Sequence, residues 1–234
     1  MEINGKNVLI TGGLGSFGSA IASSLREQGA RIFVFDVIDS DNEDYFKVDV
    51  CNEESVAVAL SKVDNVDILI NCAGEIYSEP FINFLKRERH QRSSWDRVVA
   101  NNLSSCFNVS LQVAQKMVLK RTQGLIVNFS SISARGNAGQ AAYSAAKSGI
   151  ESLTRVIAKE MGMFKIRSVA IAPGFIDTPS TRKSLSESTI DYYKKQTPLR
   201  RLGSVEDIIK TVKYIIDCDF ISGCTIPVDG ALTI

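Results

Sequence analysis

Two rhythms of apolar residues alternate along the chain. Short runs at 6–11, 31–36, 66–71, 125–130, 167–172 and 225–229 are almost wholly apolar, and 45–50 adds a briefer one. Between them, 16–28, 52–63, 94–121 and 141–163 carry apolar positions three and four apart, the spacing of a helix with one buried stripe. A further helix opens at Ser204, where Asp207 three residues on completes a capping box, and Val205, Ile208, Ile209, Val212, Ile215 and Ile216 hold the helical spacing. Strands apolar on both faces, alternating with helices, predict a doubly wound α/β fold: one seven-stranded parallel sheet with helices on both faces.

No repeat, low-complexity tract or linker divides the chain, so a single domain is expected over 1–234. Two segments, 75–93 and 174–203, lack periodicity. Each follows a strand and so belongs at the carboxyl edge of the sheet, where open α/β folds bind ligands. Residues 75–94 and 174–203 are therefore the expected substrate-facing loops.

Composition removes several classes of function. With 27 Lys and Arg against 26 Asp and Glu, the net charge of +1 gives no reason to expect a nucleic-acid or membrane partner. The polar start lacks the layout of a secretory signal, and no apolar run approaches the roughly 18 residues that span a bilayer. Five scattered cysteines (Cys51, Cys72, Cys106, Cys218, Cys224), none in a CxxC pair, fit reduced thiols in the cytoplasm. The single histidine, His90, excludes two-histidine zinc motifs, and any Ser-His-Asp triad would have to use it. No metal is expected.

The first strand runs into Thr11-Gly-Gly-Leu-Gly-Ser-Phe-Gly18, with Gly13, Gly15 and Gly18 in GxGxxG spacing ahead of a helix. Such a turn lets backbone approach a pyrophosphate at the positive end of the helix, as in a Rossmann-type domain. Asp36 ends the second strand, where a carboxylate accepts from the adenosine ribose hydroxyls and repels a 2′-phosphate. No Lys or Arg follows until Lys47, so nothing close in sequence neutralises such a phosphate, and NAD(H) is the expected cofactor. Tyr143-Ser-Ala-Ala-Lys147 then sets a phenol and an ammonium one helical turn apart. The ammonium is expected to favour the phenolate and lower the tyrosine's pKa, allowing proton exchange with an alcohol.

With these features the chain resembles the short-chain dehydrogenase/reductase family over nearly its whole length. The matching residues are the Thr11–Gly18 turn, Asp49-Val50, Asn71-Cys-Ala-Gly74, Asn102-Leu103, Ser130-Ser131, the YxxxK pair, and Pro173-Gly174 with Thr178. The resemblance implies a hydride-transferring enzyme in which Tyr143 is the acid/base and Lys147 holds the nicotinamide ribose. It implies that Ser131 bonds the reacting oxygen and that Asn102 helps hold a relay water. Gly12, Gly15, Ser16, Phe17 and Gly18 would line the pyrophosphate, and Asp49 and Val50 would meet the adenine. Cys72, Ala73 and Gly74 would line the cleft; Pro173, Ile176 and Thr178 would sit by the nicotinamide, the last two against its carboxamide.

The chain departs from the family in two ways. Its turn reads TGxxGxxG, with Ser16 where short members carry glycine, and Ser131 lies 12 residues before Tyr143 where 13 is usual. Ser130 satisfies the usual count. Counting along the strand from Gly124 selects Ser131, because a strand's faces are fixed by its period of two while a loop absorbs a deletion. Ser131 is preferred and Ser130 stays open. Asn102 is preferred to Asn101 because Val98, Val99 and Cys106 put it on the buried stripe.

The segment 75–94, with Lys86-Arg-Glu-Arg-His-Gln-Arg92, Arg201-Leu-Gly203 and Val228-Asp-Gly-Ala231, resembles the type 2 3-hydroxyacyl-CoA dehydrogenases of the family. A basic lip there could meet the phosphates of CoA or an acyl-carrier pantetheine, or be a solvated, salt-bridged loop with His90 as part of its surface. The substrate expected is a secondary alcohol or ketone, with a 3-hydroxyacyl thioester first and a steroid, sugar or cyclic diol as alternatives. An NAD-retaining epimerase or isomerase could use the same pair, and a non-catalytic regulator would be expected to have lost it. The resemblance also implies a homodimer or homotetramer pairing the helices 94–121 and 141–163.

Overall fold

The computed structural model describes residues 1–232. The apolar runs form β1 (Asn7–Thr11), β2 (Arg31–Asp36), β3 (Tyr45–Lys47), β4 (Ile68–Asn71), β7 (Leu125–Phe129), β8 (Arg167–Pro173) and β11 (Cys224–Val228), all parallel in one sheet of order β11-β8-β7-β4-β1-β2-β3. Two-sided burial explains their composition, since β4 and β7 are buried at every position.

One face is covered by α1 (Ser16–Arg26) and α8 (Val205–Asp217), whose Ile21, Leu25, Ile208, Val212, Ile215 and Ile216 pack on Val8, Ile10, Val34 and Ile171. The other is covered by α2 (Glu53–Ser61), α4 (Ser105–Leu119) and α5 (Ala141–Met161), with Leu9, Phe35, Leu69 and Ile126 beneath. Helix α8 starts where expected: the Ser204 hydroxyl accepts from the Asp207 N–H, and the Asp207 carboxylate accepts from the Ser204 N–H. Each of its four buried aliphatic side chains contributes about 1.5–3 kcal/mol, so truncating Ile215 to alanine is the kind of change that opens this face.

Several expectations change. The helix expected over 94–121 is α3 (Arg92–Val99), a π-helical turn (Ala100–Ser104) and α4. The segment 75–93 is not structureless: β5 (Ile82–Asn83) and β6 (Glu88–Arg89) form a small antiparallel hairpin. The segment 174–203 contains β9 (Ile176–Asp177), α6 (Pro179–Ser184) and α7 (Glu187–Gln196), and β9 pairs in parallel with β10 (Gly203–Ser204). Only Ile190 of α7 is buried, so no apolar stripe revealed it. The caps are the readable signal: Thr178 ahead of Pro179 opens α6, and Ser186, accepting from the Thr189 N–H, opens α7.

Strand order reverses between β1 and β4, the crevice where doubly wound sheets bind ligands. Thr11 and Asn71 stand opposite each other there, and the Thr11 hydroxyl accepts from the Ala73 N–H at 3.2 Å.

Candidate active site

The glycine turn leaves β1 at this crevice. Gly12 has φ +64°, and a Cβ on it would lie 2.9 Å from the Ala73 backbone. A Cβ on Gly18 would sit 2.7 Å from Gly13 Cα and overlap the Gly12 carbonyl, so the first turn of α1 can fold this tightly over β1 only with glycine there. Gly15 is the N-cap, and no side chain caps the helix. Backbone N–H groups at the start of an eleven-residue helix are thus left for an anion, with Ser16 as the first helical residue. Phe17 turns inward and stacks on Phe129 with centroids 5.6 Å apart.

Asp36 closes over the turn. Its Oδ2 accepts from the Leu14 N–H at 3.0 Å and its Oδ1 from the Ile38 N–H at 3.1 Å, each oxygen keeping a second lone pair. The first cation after Asp36 in sequence, Lys47, is brought alongside it by the sheet. Lys47 is its register partner on β3, because residues 37–44 form only a turn and bring β3 directly alongside β2.

Asp49 is exposed, and its carboxylate accepts from the Cys51 N–H at 2.9 Å. Val50 packs its side chain into the core with Phe35 and Val48. Ile176 is likewise a core side chain, and the Thr178 hydroxyl accepts from the Thr181 N–H as the cap of α6. Pro173 ends β8, and Gly174 packs so closely that a Cβ would meet Asp229 Cα at 2.8 Å. Cys72 lies against Lys147, and burial pushes its thiol well above the usual range.

Tyr143 and Lys147 lie one turn apart near the start of α5, about 6% and 5% exposed. Lys147 Nζ donates to the Phe129 carbonyl at 2.8 Å and stands 5.5 Å from the centroid of the Tyr143 ring. Burial pulls Lys147 down to about 8, which leaves it mostly charged at neutral pH. Burial also pushes Tyr143 up to about 12, opposed by a hydrogen bond with Ser131. Desolvation of the phenolate is the larger of these two effects, so the buried phenol stands above its ordinary value.

The two serines separate. The Ser131 hydroxyl lies near enough to Tyr143 to favour its phenolate and accepts from the Ser133 N–H, while the Ser130 hydroxyl points away, to the Lys147 carbonyl at 3.2 Å and Glu151 at 3.0 Å. Successive residues of a strand face opposite ways.

Asn102 lies in the π-helical turn, 1% exposed. Its Nδ2 donates to the Glu75 carbonyl at 3.1 Å and the Val98 carbonyl at 2.9 Å, while Oδ1 is buried without a partner. A Cβ on Gly74 would lie 2.6 Å from that Oδ1 and 3.6 Å from Lys147 Nζ, so both polar atoms face one small space over Gly74. Asn101 instead donates to the Glu75 carboxylate, which also holds Arg97. The sequence reading missed this Glu75 clasp because its three members are scattered over 26 residues. Beneath, Asn71 Nδ2 donates to Ser110 Oγ and Asn128 Oδ1, and Asn128 Nδ2 to Thr154 Oγ1, tying β4 and β7 to α4 and α5.

His90 is not surface. Its side chain is 9% exposed, with Nδ1 3.2 Å from the Glu79 carbonyl and 3.4 Å from its carboxylate, at the base of the β5–β6 hairpin. Glu79 bridges to Gln140, three residues before Tyr143, which fixes the hairpin to the edge of the site. Phe81, Ile82, Phe84 and Leu85 are exposed on it beside exposed Lys86, Arg87 and Arg89.

A doubly wound sheet whose crevice combines an uncapped, glycine-lined helix start with a buried tyrosine, lysine and serine has the layout of an oxidoreductase domain. A family model described as enoyl-(acyl carrier protein) reductase matches residues 12–233. The 3-hydroxyacyl-CoA dehydrogenase type-2 of Bos taurus is 34% identical over 99% of this chain and 96% of its own length. The 3-oxoacyl-[acyl-carrier-protein] reductase FabG of Pseudomonas aeruginosa is 34% identical over 99% of both. A crystal structure of a short chain dehydrogenase from Leptospira borgpetersenii with bound NAD+ superposes with TM-score 0.87 at 27% identity, covering 100% of this chain and 94% of that one. The chain belongs to the short-chain dehydrogenase/reductase family and is an oxidoreductase acting on CH–OH and ketone groups. Among the described residues, no helix is long and apolar enough to cross a membrane.

Proposed function

We propose that this enzyme interconverts a secondary alcohol and a ketone with NAD(H), with Tyr143 as acid/base, and that its substrate is a 3-hydroxyacyl or 3-oxoacyl thioester. The observation that carries the chemistry is the buried pair of Tyr143 and Lys147, with Lys147 Nζ 5.5 Å from the phenol ring and Ser131 beside it, at the switch-point crevice.

A dinucleotide held in the crevice would supply or accept the hydride. Tyr143 exchanges the proton of the reacting oxygen, and Ser131 donates to that oxygen and fixes its position. Lys147, held by the Phe129 carbonyl, keeps a positive charge that makes the phenolate accessible when Tyr143 gives up its proton. Asn102 Oδ1 accepts from a water in the space it shares with Lys147, giving the proton a way out. The α1 N-terminus with Gly12, Gly15, Ser16, Phe17 and Gly18 seats the pyrophosphate, and Asp36 takes the ribose hydroxyls. Asp49 and the Val50 main chain meet the adenine. Cys72, Ala73 and Gly74 form the floor, with Pro173, Ile176 and Thr178 by the nicotinamide.

The thioester is favoured by the hairpin at the lip, which offers apolar side chains to an acyl chain and cations to its phosphates, and by the substrates in the names of the two relatives. Exposed Phe107, Leu111, Val156 and Phe164 on and beside α4 and α5 support a homodimer or homotetramer. Five free cysteines support a reducing, cytoplasmic setting.

The test is the change in NADH absorbance with purified enzyme and a panel of 3-oxoacyl-CoA, steroid and polyol substrates. Turnover of the thioester with the highest kcat/KM supports the assignment. Turnover confined to a polyol or steroid overturns the substrate, and product formation with no net NADH change points to an epimerase or isomerase.

A further inference from the structure

The β2–β3 pair carries charge that the dinucleotide assignment does not use. Register sets Val34 opposite Tyr45, Phe35 opposite Phe46, and Asp36 opposite Lys47. Side chains alternate along both strands, and the core clusters show which way. Phe35 and Phe46 meet edge to face on the side of α2 and α4, whereas Val34 is buried under α1 with Tyr45 packed against that cluster. One residue further, Asp36 and Lys47 therefore return to the face of α1. The Leu14 N–H bond to Asp36 places that carboxylate at the glycine turn.

Adjacent strands are about 4.8 Å apart, well within the reach of a lysine side chain. Lys47 can thus bring its ammonium to whatever Asp36 faces. Its only partner among the described residues is Asp39, at 3.8 Å, and the two side chains are 64% and 77% exposed. Such a long, solvated pair holds the ammonium weakly. No helix intervenes, since 37–44 is a bare turn. Arg31, the other cation of these strands, sits at the opposite end of β2 and is bound to Asp44.

We propose that Lys47 is a second determinant of dinucleotide selection, an ammonium one strand from Asp36 that supplies affinity for a 2′-phosphate. Asp36 sets the preference for NADH, and Lys47 limits it by competing for the same position. With the Asp36 charge gone, Lys47 becomes the phosphate's ligand. This rests on the assignment of Asp36 to the adenosine ribose.

The experiment is equilibrium binding of NADH and NADPH, followed by ligand fluorescence, to the wild type, Asp36→Asn, Lys47→Ala and the double variant. Asparagine keeps one acceptor oxygen for the Leu14 N–H. Asp36→Asn should shift the affinity ratio toward NADPH by about tenfold or more, and adding Lys47→Ala should remove most of that gain. Lys47→Ala alone should leave NADH affinity within about twofold, and the NADPH gain should shrink with added salt. A double variant that binds NADPH as tightly as Asp36→Asn overturns the role of Lys47 and leaves that of Asp36 standing. Failure of Asp36→Asn to change the ratio overturns both, as does absence of dinucleotide binding to the wild type. Should Asp36→Asn not fold, Lys47→Ala decides alone: it must weaken adenosine 2′,5′-bisphosphate and spare 5′-AMP, and equal effects on the two overturn the proposal.

Discussion

Lys147 Nζ is 2.8 Å from the carbonyl of Phe129, the last residue of β7, while Ser131, two residues beyond, lies on the Tyr143 side and favours its phenolate. One strand end therefore holds both members of the YxxxK pair, so the relative placement of ammonium and phenol is set by the sheet as well as by the helix. The ammonium is kept charged yet almost fully buried, and several consequences can be measured.

Replacing Tyr143 with phenylalanine removes the hydroxyl proposed to exchange a proton with the reacting oxygen, but leaves the ring packed with Val98 and Ala142. Turnover should fall by at least about a hundredfold, the usual scale of general acid–base catalysis. NADH affinity, measured by titration, should stay within about threefold, because the glycine turn and Asp36 are untouched. Retained turnover would reject the acid/base assignment.

The two serines should behave differently. Ser131→Ala should lower kcat by one to two orders of magnitude with little change in Tm, since it takes away the hydroxyl proposed to donate to the reacting oxygen. Ser130→Ala should keep most of its kcat and lose about 1 kcal/mol of stability, because its bonds go to Glu151 and the Lys147 carbonyl. The opposite pattern in the two kcat values would put Ser130 in the site.

Lys147 links function to stability. Its pKa is near 8 folded against 10.5 in the open chain, so between those values the unfolded state carries more protons, and stability rises with pH. Tyr143 acts in the other direction above its ordinary value of 10.0, because its folded pKa of about 12 makes the folded state hold the extra proton. These two groups therefore favour the folded state most near pH 10. Lys147→Met should abolish activity yet gain about 2 kcal/mol at pH 7, after allowing for the lost bond to Phe129, with the gain fading by pH 10. Chemical denaturation of both proteins at the two pH values is the check, and a pH-independent difference would contradict the burial of a charged lysine.

Gly18→Ala should damage the cofactor seat itself. The added methyl meets the backbone of Gly12 and Gly13, which no side-chain rotation relieves. Loss of the thermal stabilisation that NADH gives the wild type is the expected result, and unchanged stabilisation would show that the turn yields.

What the chain determined by itself was local. Apolar periodicity predicted the seven main strands and the main helices, because a strand buried on both faces must be apolar and a helix on a sheet needs one apolar stripe. The glycine spacing before α1 and the four-residue offset of Tyr143 and Lys147 were legible for the same reason: turn geometry and helical pitch are short-range. Tertiary structure decided what depends on contacts between distant segments. It placed Lys47 beside Asp36 through strand order, separated Ser131 from Ser130 by strand face, and buried His90 under a hairpin. Register, burial and local dielectric arise only when the sheet has assembled, so no window of sequence contains them.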